Sequence, residues 1–219
     1  MNIKPLIFIP SARDLREFYD ATNKLPYDKL WVKYYPQYEA YAVARWTFLN
    51  NPNNYTHLVI LPDDLIVEQK QIEKLLEHPD DIMSGWCMFG IKKTPDERKT
   101  LDSNISEYCP DEPAYSLTYD KFKWLSIEAI ENYIKTGKTI IPIVFCGFAP
   151  TIIPKKYVDF LPFRGSQGCC IDTCISQDLK QSGIIHYADL TVKTVEIEAT
   201  DPNLLQVDKK ERFIVLESI

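Results

Sequence analysis

The chain has 219 residues, of which 45% are hydrophobic, 12% aromatic and 26% charged, a composition that excludes whole-chain disorder and supports one large domain with a sizeable core. Its 25 Lys and Arg stand against 31 Asp and Glu, a net charge of −6, which argues against a duplex nucleic-acid binder and leaves room only for a local basic cleft. No stretch approaches the roughly 18–20 uninterrupted apolar residues that a membrane span requires. The short apolar run before Pro10 is cut by prolines and has no small-residue cleavage site, so it reads as a first strand and not a signal peptide. The expectation is a cytoplasmic protein without its own anchor.

In chain order, residues 6–9 form an apolar run that ends at Pro10-Ser11, a strand followed by a turn. Leu15, Phe18, Tyr19 and Thr22 then fall at helical spacing. Residues 30–35 read as a second strand closed by Pro36. Tyr38, Tyr41, Ala42, Arg45 and Leu49 lie on one helix face, and residues 50–54 are a turn cluster. Residues 57–61 are the next buried strand, 69–77 a short helix, and 81–89 a further strand. From 92 to about 119, charged and turn residues dominate, which predicts a long irregular region of the kind that shapes functional loops. Residues 126–135 read as a helix capped by Ser126 and stopped near Gly137. Residues 139–144 and 146–153 are extended. Ile171, Ile175 and Leu179 mark a helix ending at Gly183, and residues 184–187 and 191–197 close the sheet. The tail from Thr200 is polar, with a last apolar run at 213–216.

This alternation predicts an α/β fold with a mostly parallel central sheet and helices on both faces. Ligands of such sheets sit beyond the carboxyl ends of the strands, so chemistry is expected at residues 11–13, 62–64 and 86–89. The six cysteines, at 87, 109, 146, 169, 170 and 174, include no Cys-x-x-Cys pair. Cys169, Cys170 and Cys174 with His186 can be drawn as a zinc site, but the spacing matches no common pattern, and buried thiols are the plainer reading. Asn54-Tyr55-Thr56 and Asn104-Ile105-Ser106 match the N-glycosylation pattern; without an export signal both read as chance.

The most informative run is His57-Leu58-Val59-Ile60-Leu61-Pro62-Asp63-Asp64. A buried strand delivers two adjacent carboxylates to the ligand edge. Crowding them is costly unless a cation or donors compensate. A divalent metal bridging a diphosphate would do so, with Mg²⁺ or Mn²⁺ suited to oxygen ligands. The same acids could instead open a helix beginning near Asp64.

Pro62-Asp63-Asp64 at the end of the third major strand resembles the DxD-type motif of the GT-A glycosyltransferases, especially the family-two-like enzymes that use nucleotide sugars. The motif departs from the usual form in having Pro62 at its first acidic position. Three further segments resemble the same family. Pro10-Ser11-Ala12-Arg13-Asp14 is similar to its first-strand turn. Gly147-Phe148-Ala149-Pro150-Thr151-Ile152-Ile153-Pro154-Lys155-Lys156-Tyr157-Val158 is similar to its acceptor-side segment. Gly168-Cys169-Cys170-Ile171-Asp172 is similar to the start of its acidic helix, with Gly183 eleven residues after Asp172 and Ile171 in place of the first acid.

The resemblance covers about residues 3–197 and implies a catalytic unit over 1–199, with a nucleotide-sugar half at 1–90, an acceptor half at 91–199 and a C-terminal tail at 200–219. It implies transfer of a sugar from a nucleoside-diphosphate sugar to the hydroxyl of a glycan, protein or lipid-linked acceptor, with inversion, and with Mn²⁺ or Mg²⁺ as cofactor. Asp172 would be the general base, or equally a helix cap. Asp64 would be a metal ligand and Asp63 would face the sugar or ribose. Glu196, near the place of the family's terminal histidine, would be a second ligand or a solvent-facing strand residue. Ser11, Arg13 and Arg45 (in the Ala44-Arg45 pair) would meet the nucleotide, or the arginines would be solvated charges. Trp86 would stack on the acceptor sugar or belong to the core. Rival readings are a sugar nucleotidyltransferase, disfavoured by the absence of any glycine before Gly85, and a degenerate GT-A-like protein kept for binding.

Overall fold

The computed structural model describes residues 2–91, 100–111, 113–114, 122–147, 149–165, 170–197 and 210–218. Phe148, Gly168, Cys169 and the start of the tail at Thr200 lie outside the described residues. So does much of the irregular region expected from 92 to 119.

Strand β1 (Pro5–Ser11) is apolar at successive positions because both of its faces are covered. Its neighbours β2 (Asp28–Lys33) and β3 (His57–Ile60) run parallel to it. Helices α1 (Arg16–Thr22) and α2 (Gln37–Asn50) make the two crossovers. Leu6 and Phe8 pack with Tyr41 and Phe48 of α2, whereas Ile7 and Ile9 pack with Phe18 of α1. The strand's two side-chain parities therefore feed two separate cores, and helices cover both faces as expected.

After β3 come a short strand β4 (Leu65–Ile66), helix α3 (Gln69–Leu76), and strands β5 (Ile82–Trp86), β6 (Met88–Ile91), β7 (Thr100–Glu107) and β8 (Trp124–Ser126). Helix α4 (Ile127–Lys135), strands β9 (Ile140–Cys146) and β10 (Thr151–Pro154), and helices α5 (Lys155–Phe160) and α6 (Ile171–Gln181) follow. Strands β11 (His186–Lys193), β12 (Val195–Glu196) and β13 (Phe213–Glu217) complete the described elements. The Ser126 hydroxyl accepts from Ala129 N at 3.1 Å and caps α4 as the sequence predicts.

The sheet is mixed, which corrects the expectation of a mostly parallel one. Its order is β13-β2-β1-β3-β10-β5-β11-β9-β7-β6, with β8 beside β7. Parallel pairing is confined to β2-β1-β3 and to β5 with β11. Strand β10 enters between β3 and β5 antiparallel to both, and every pair beyond β11 is antiparallel. The reason is connection chemistry. Parallel neighbours need a crossover of about a dozen residues or more, which α1 and α2 supply between β1, β2 and β3.

Three other details differ from the sequence reading. The 81–89 run is two strands interrupted at Cys87. The buried face of α2 is Ala40, Tyr41, Ala44 and Phe48, while Tyr38 is exposed. The apolar run near the C-terminus is an edge strand, antiparallel to β2.

Candidate functional site

Strands β1 and β3 end at the same sheet edge, each with a proline near its end. Pro10 and Pro62 flank the segments that carry Ser11, Arg13, Asp63 and Asp64. Here a cavity of about 610 Å³ opens. Its walls come from far apart in the sequence: Ser11–Arg13, Tyr35–Gln37, Pro62–Leu65, Asn104, Trp124, Gly147, Asp172 and Glu196 all contribute.

Asp63 is 2% exposed. Its Oδ2 accepts the backbone N–H groups of Ala12 (2.8 Å) and Arg13 (2.7 Å). Its Oδ1 accepts Arg13 Nε (3.0 Å) and Nη2 (2.6 Å). Four donors on one carboxylate answer the crowding problem posed by the sequence, and they fix the turn after β1. The Ser11 hydroxyl donates to Arg13 O at 3.1 Å and closes that turn. Arg13 then reaches Asp64 through Nη1, 2.8 Å from Oδ2. Asp64 is the more accessible acid, with 19% of its side chain exposed against 3% for Asp63. Burial raises the Asp64 pKa although Arg13 pulls against it. Asp64 does not open a helix; the chain continues into β4, and α3 begins only at Gln69, where Glu68 N donates to the Gln71 side chain.

Strand β12 pairs with β4, placing Glu196 opposite Leu65, and Ile197 N donates to Asp64 O at 2.7 Å. This two-stranded ribbon brings Glu196 to the cavity beside Asp64. Among the described residues, no three His, Cys, Asp or Glu side chains group to hold a metal. Asp63 has both oxygens engaged. Asp64 and Glu196 also border the cavity, and two carboxylates suit an Mg²⁺ or Mn²⁺ ion completed by a ligand's phosphate oxygens better than an all-protein cage.

Asp172 is the second residue of α6, and Cys170 holds the cap position. Its Oδ1 accepts Thr173 N at 2.8 Å. Burial nevertheless outweighs the helix-start donors and raises its pKa.

Two residues expected in the site are elsewhere. Arg45 spends its guanidinium on the carbonyls of Val158 (3.2 Å), Leu161 (2.9 Å) and Asp159 (2.7 Å), tying α2 to the C-terminus of α5. Neither solvated charge nor nucleotide contact describes it. Trp86 is buried in a further apolar cluster with Ile105, Ile141 and Leu190, the core alternative of the sequence reading, and its indole N–H donates to Leu190 O at 2.8 Å. The zinc drawing also dissolves among the described residues: Cys174 is buried in α6, and His186 Nε2 meets Ser84 Oγ at 2.7 Å.

The sequence reading missed Tyr35, Gln37, Asn104 and Trp124. Asn104 was met only as a glycosylation match. It is 4% exposed, accepts Cys87 N (2.9 Å) and donates to Gly147 O (2.8 Å), so it fastens β7 to the segments on either side of it. Trp124 lies where no periodicity pointed to it.

No protein-family model matches the sequence, and no curated protein matches it. The fold is similar to that of A197 from STIV, among other solved structures, at 14% identity and a TM-score of 0.51, over 90% of this chain and 95% of that one. At that identity the likeness concerns the fold alone. Among the described residues, no helix is long and apolar enough to cross a membrane.

Proposed function

We propose that the protein is a GT-A-type glycosyltransferase that moves a sugar from a nucleoside-diphosphate sugar to an acceptor hydroxyl, with inversion. The observation that carries this reading is the convergence of residues 11–13, 63–64, 172 and 196 on one cavity at the carboxyl edge of β1 and β3. Ser11, Ala12 and Arg13 form the donor wall, held rigid by Asp63. Asp64 and Glu196 would hold Mn²⁺ or Mg²⁺ against the diphosphate, and the ion would supply charge neutralisation of the leaving group. The acceptor oxygen attacks the anomeric carbon, its proton passes to the Asp172 carboxylate, and the bond from that carbon to the diphosphate oxygen breaks with its electron pair on the diphosphate. A base whose pKa burial has raised is better matched to proton abstraction near neutrality than an exposed carboxylate.

The test is calorimetric titration of UDP, GDP and their sugar forms, with and without Mn²⁺, followed by assay of donor hydrolysis. Metal-dependent binding of one nucleotide, lost in Asp64→Asn, supports the reading. Asp172→Asn is expected to keep that binding and to lower turnover by about 10²-fold or more. In the wild type, the acid limb of the pH–rate profile is expected to be displaced upward from that of an ordinary aspartate, the direction in which burial moves the Asp172 pKa. A second reading, a binding protein without catalysis, is favoured by one observation: Arg13 already pairs with both Asp63 and Asp64. Nucleotide binding unaffected by metal, with no hydrolysis of any bound donor, would select it.

A further inference from the structure

Strand β13 closes one end of the sheet. It pairs with β2 along one edge, from Phe213 opposite Lys33 to Glu217 opposite Lys29, and among the described residues no strand pairs with its other edge. Phe213, Ile214, Val215 and Leu216 follow one another in the chain, and each keeps between 37% and 45% of its surface exposed. Successive strand residues point to opposite faces, so apolar surface is left in water on both faces of the strand. Sheet edges are commonly guarded by a proline, a lysine or an inward-pointing charge. Residues 213–216 contain none of these.

The surface beside the edge continues the pattern. Directly opposite residues of an antiparallel pair share a face. Ile214 and Leu216, opposite Val32 and Leu30, therefore lie on the face that α2 covers. Arg212 Nη1 bonds Glu39 of α2 at 3.1 Å, which brings that flank of the helix to the strand. Trp46 stands seven residues after Glu39, two turns along the same flank, and is 68% exposed.

Backbone symmetry and charge select the occupant. Two copies related by a two-fold axis normal to the sheet pair antiparallel, and a residue on the axis lies opposite itself. Centring the pair on Ile214 or on Val215 sets apolar residues opposite one another at the middle of the strand. With Ile214 on the axis, Glu211 faces Glu217 of the second copy, a like-charge pair that opposes association. With Val215 on the axis, Ile214 faces Leu216, Phe213 faces Glu217 and Arg212 faces Ser218, and no like charges stand directly opposite. Antiparallel order also brings the basic start of each strand, Lys210 and Arg212, alongside the acidic end of the other, where a parallel approach would align like with like. A five-residue seam is small beside the roughly 1,200–2,000 Å² that a specific dimer buries, and the α2 flank with Trp46 extends it. Pairing of a single free edge closes at two copies and does not propagate.

We infer that β13 is the seam of a two-fold homodimer, in which the sheets of two copies join edge to edge with Val215 on the axis and the two α2 flanks stand together on one face of the joined sheet.

Sedimentation velocity of the full chain from about 1 to 100 µM tests this, with a reversible dimer expected whose Kd falls inside that range. Oxidation of Val215→Cys by copper phenanthroline in air should join two chains through a disulfide that reductant releases, because opposite Cβ atoms of an antiparallel pair lie about 4.5–5.5 Å apart. The wild type, whose Cys170 is exposed, is the control. Ile214→Lys should raise the dimer Kd by at least about tenfold with far-UV circular dichroism unchanged, and Trp46→Ala by about threefold or more. A wild type that stays monomeric to about 100 µM overturns the inference. So does a dimer that Ile214→Lys leaves intact, or one whose Val215→Cys form cross-links no more than the wild type, since either places the contact on another face. The cross-link keeps the test decisive if Ile214→Lys also loosens β13 from β2.

Discussion

Asp63 and Asp64 are neighbours in the chain with opposite surroundings, and the contrast is measurable. Asp63 accepts four N–H bonds while almost wholly buried. Asp63→Ala strands two backbone donors and a half-buried guanidinium, and is expected to lower the unfolding free energy by about 2–3 kcal/mol. Asp64→Ala removes a partly exposed acid and should cost less than about 1 kcal/mol, with its effect falling on ligand binding instead. Urea denaturation of the two variants checks the pair. His186 gives a second residue-level prediction. It is buried against Ser84, with Nδ1 lacking a hydrogen-bond partner among the described residues, and burial lowers its pKa to about 4. Between the unfolded value near 6.5 and the folded value near 4, the unfolded chain takes up a proton that the folded protein refuses. Stability should therefore fall as pH drops through that window, by at most about 3 kcal/mol. Urea midpoints at pH 7, 5.5 and 4.5 read the slope, which should flatten in His186→Gln. A midpoint that rises on acidification would contradict it.

At the level of elements, Gly85 marks where β5 and β11 approach. A Cβ there would lie 2.8 Å from both Val192 Cγ1 and Val192 O, and 3.2 Å from Pro150 Cγ. The backbone oxygen cannot swing aside as a side chain can, so Gly85→Ala should destabilise by about 1–3 kcal/mol. Thermal melts of that variant beside the wild type decide it. The sequence reading met Gly85 only as the first glycine of the chain, because close approach between strands distant in the chain leaves no local pattern. The same limit explains the sheet. Strands β1, β2 and β3 were legible because apolar runs alternate with helix-spaced residues in 6–61. In the antiparallel half β9 and β10 were legible as extended runs, but β7 was not, because it reads as polar and turn-rich (Asp102, Ser103, Asn104, Ser106) while its buried side chains are satisfied internally. Ser103 Oγ donates to Leu125 O, and Lys123 N donates to Ser106 Oγ. The helix face of α2 was displaced for a related reason: Tyr38 is aromatic yet exposed, and periodicity alone cannot separate it from Tyr41 at the core.

Across the whole molecule, the site was half legible. Strand ends and paired acids announced Ser11–Arg13, Asp63 and Asp64, and the spacing to Gly183 pointed to Asp172. Arg45 was misplaced because residue type says nothing about which carbonyl, such as Leu161 O, a donor meets; of the two alternatives for Trp86, the core is the one observed. The C-terminal run was legible as apolar but not as part of the sheet, since its partner β2 lies some 180 residues earlier. That pairing has a consequence for the site. Phe213 to Glu217 pair with Lys33 to Lys29. Lys210 bonds Asp14 at 2.9 Å, and Arg212 bonds Glu39 at 3.1 Å. Asp14 also accepts the Tyr34 hydroxyl at 2.6 Å and Lys33 Nζ at 2.7 Å. Tyr34 carries the left-handed φ of 62°, a conformation that costs about 1 kcal/mol or more outside glycine and persists only when its surroundings hold it. It leads directly into Tyr35, Pro36 and Gln37 at the cavity wall. Deleting residues 210–219 removes an edge strand and two partly exposed ion pairs, each pair worth about 1 kcal/mol or less, so the α/β core should survive with its far-UV circular dichroism nearly intact. The expected loss is local. Amide exchange should quicken at residues 33–37 and the nucleotide Kd should rise by about three- to tenfold, the equivalent of about 1 kcal/mol of ordering moved into the binding step. Unchanged exchange at 33–37 in the shortened chain would mean that Ser11 O and Asp14 hold Tyr34 without help from the C-terminal strand.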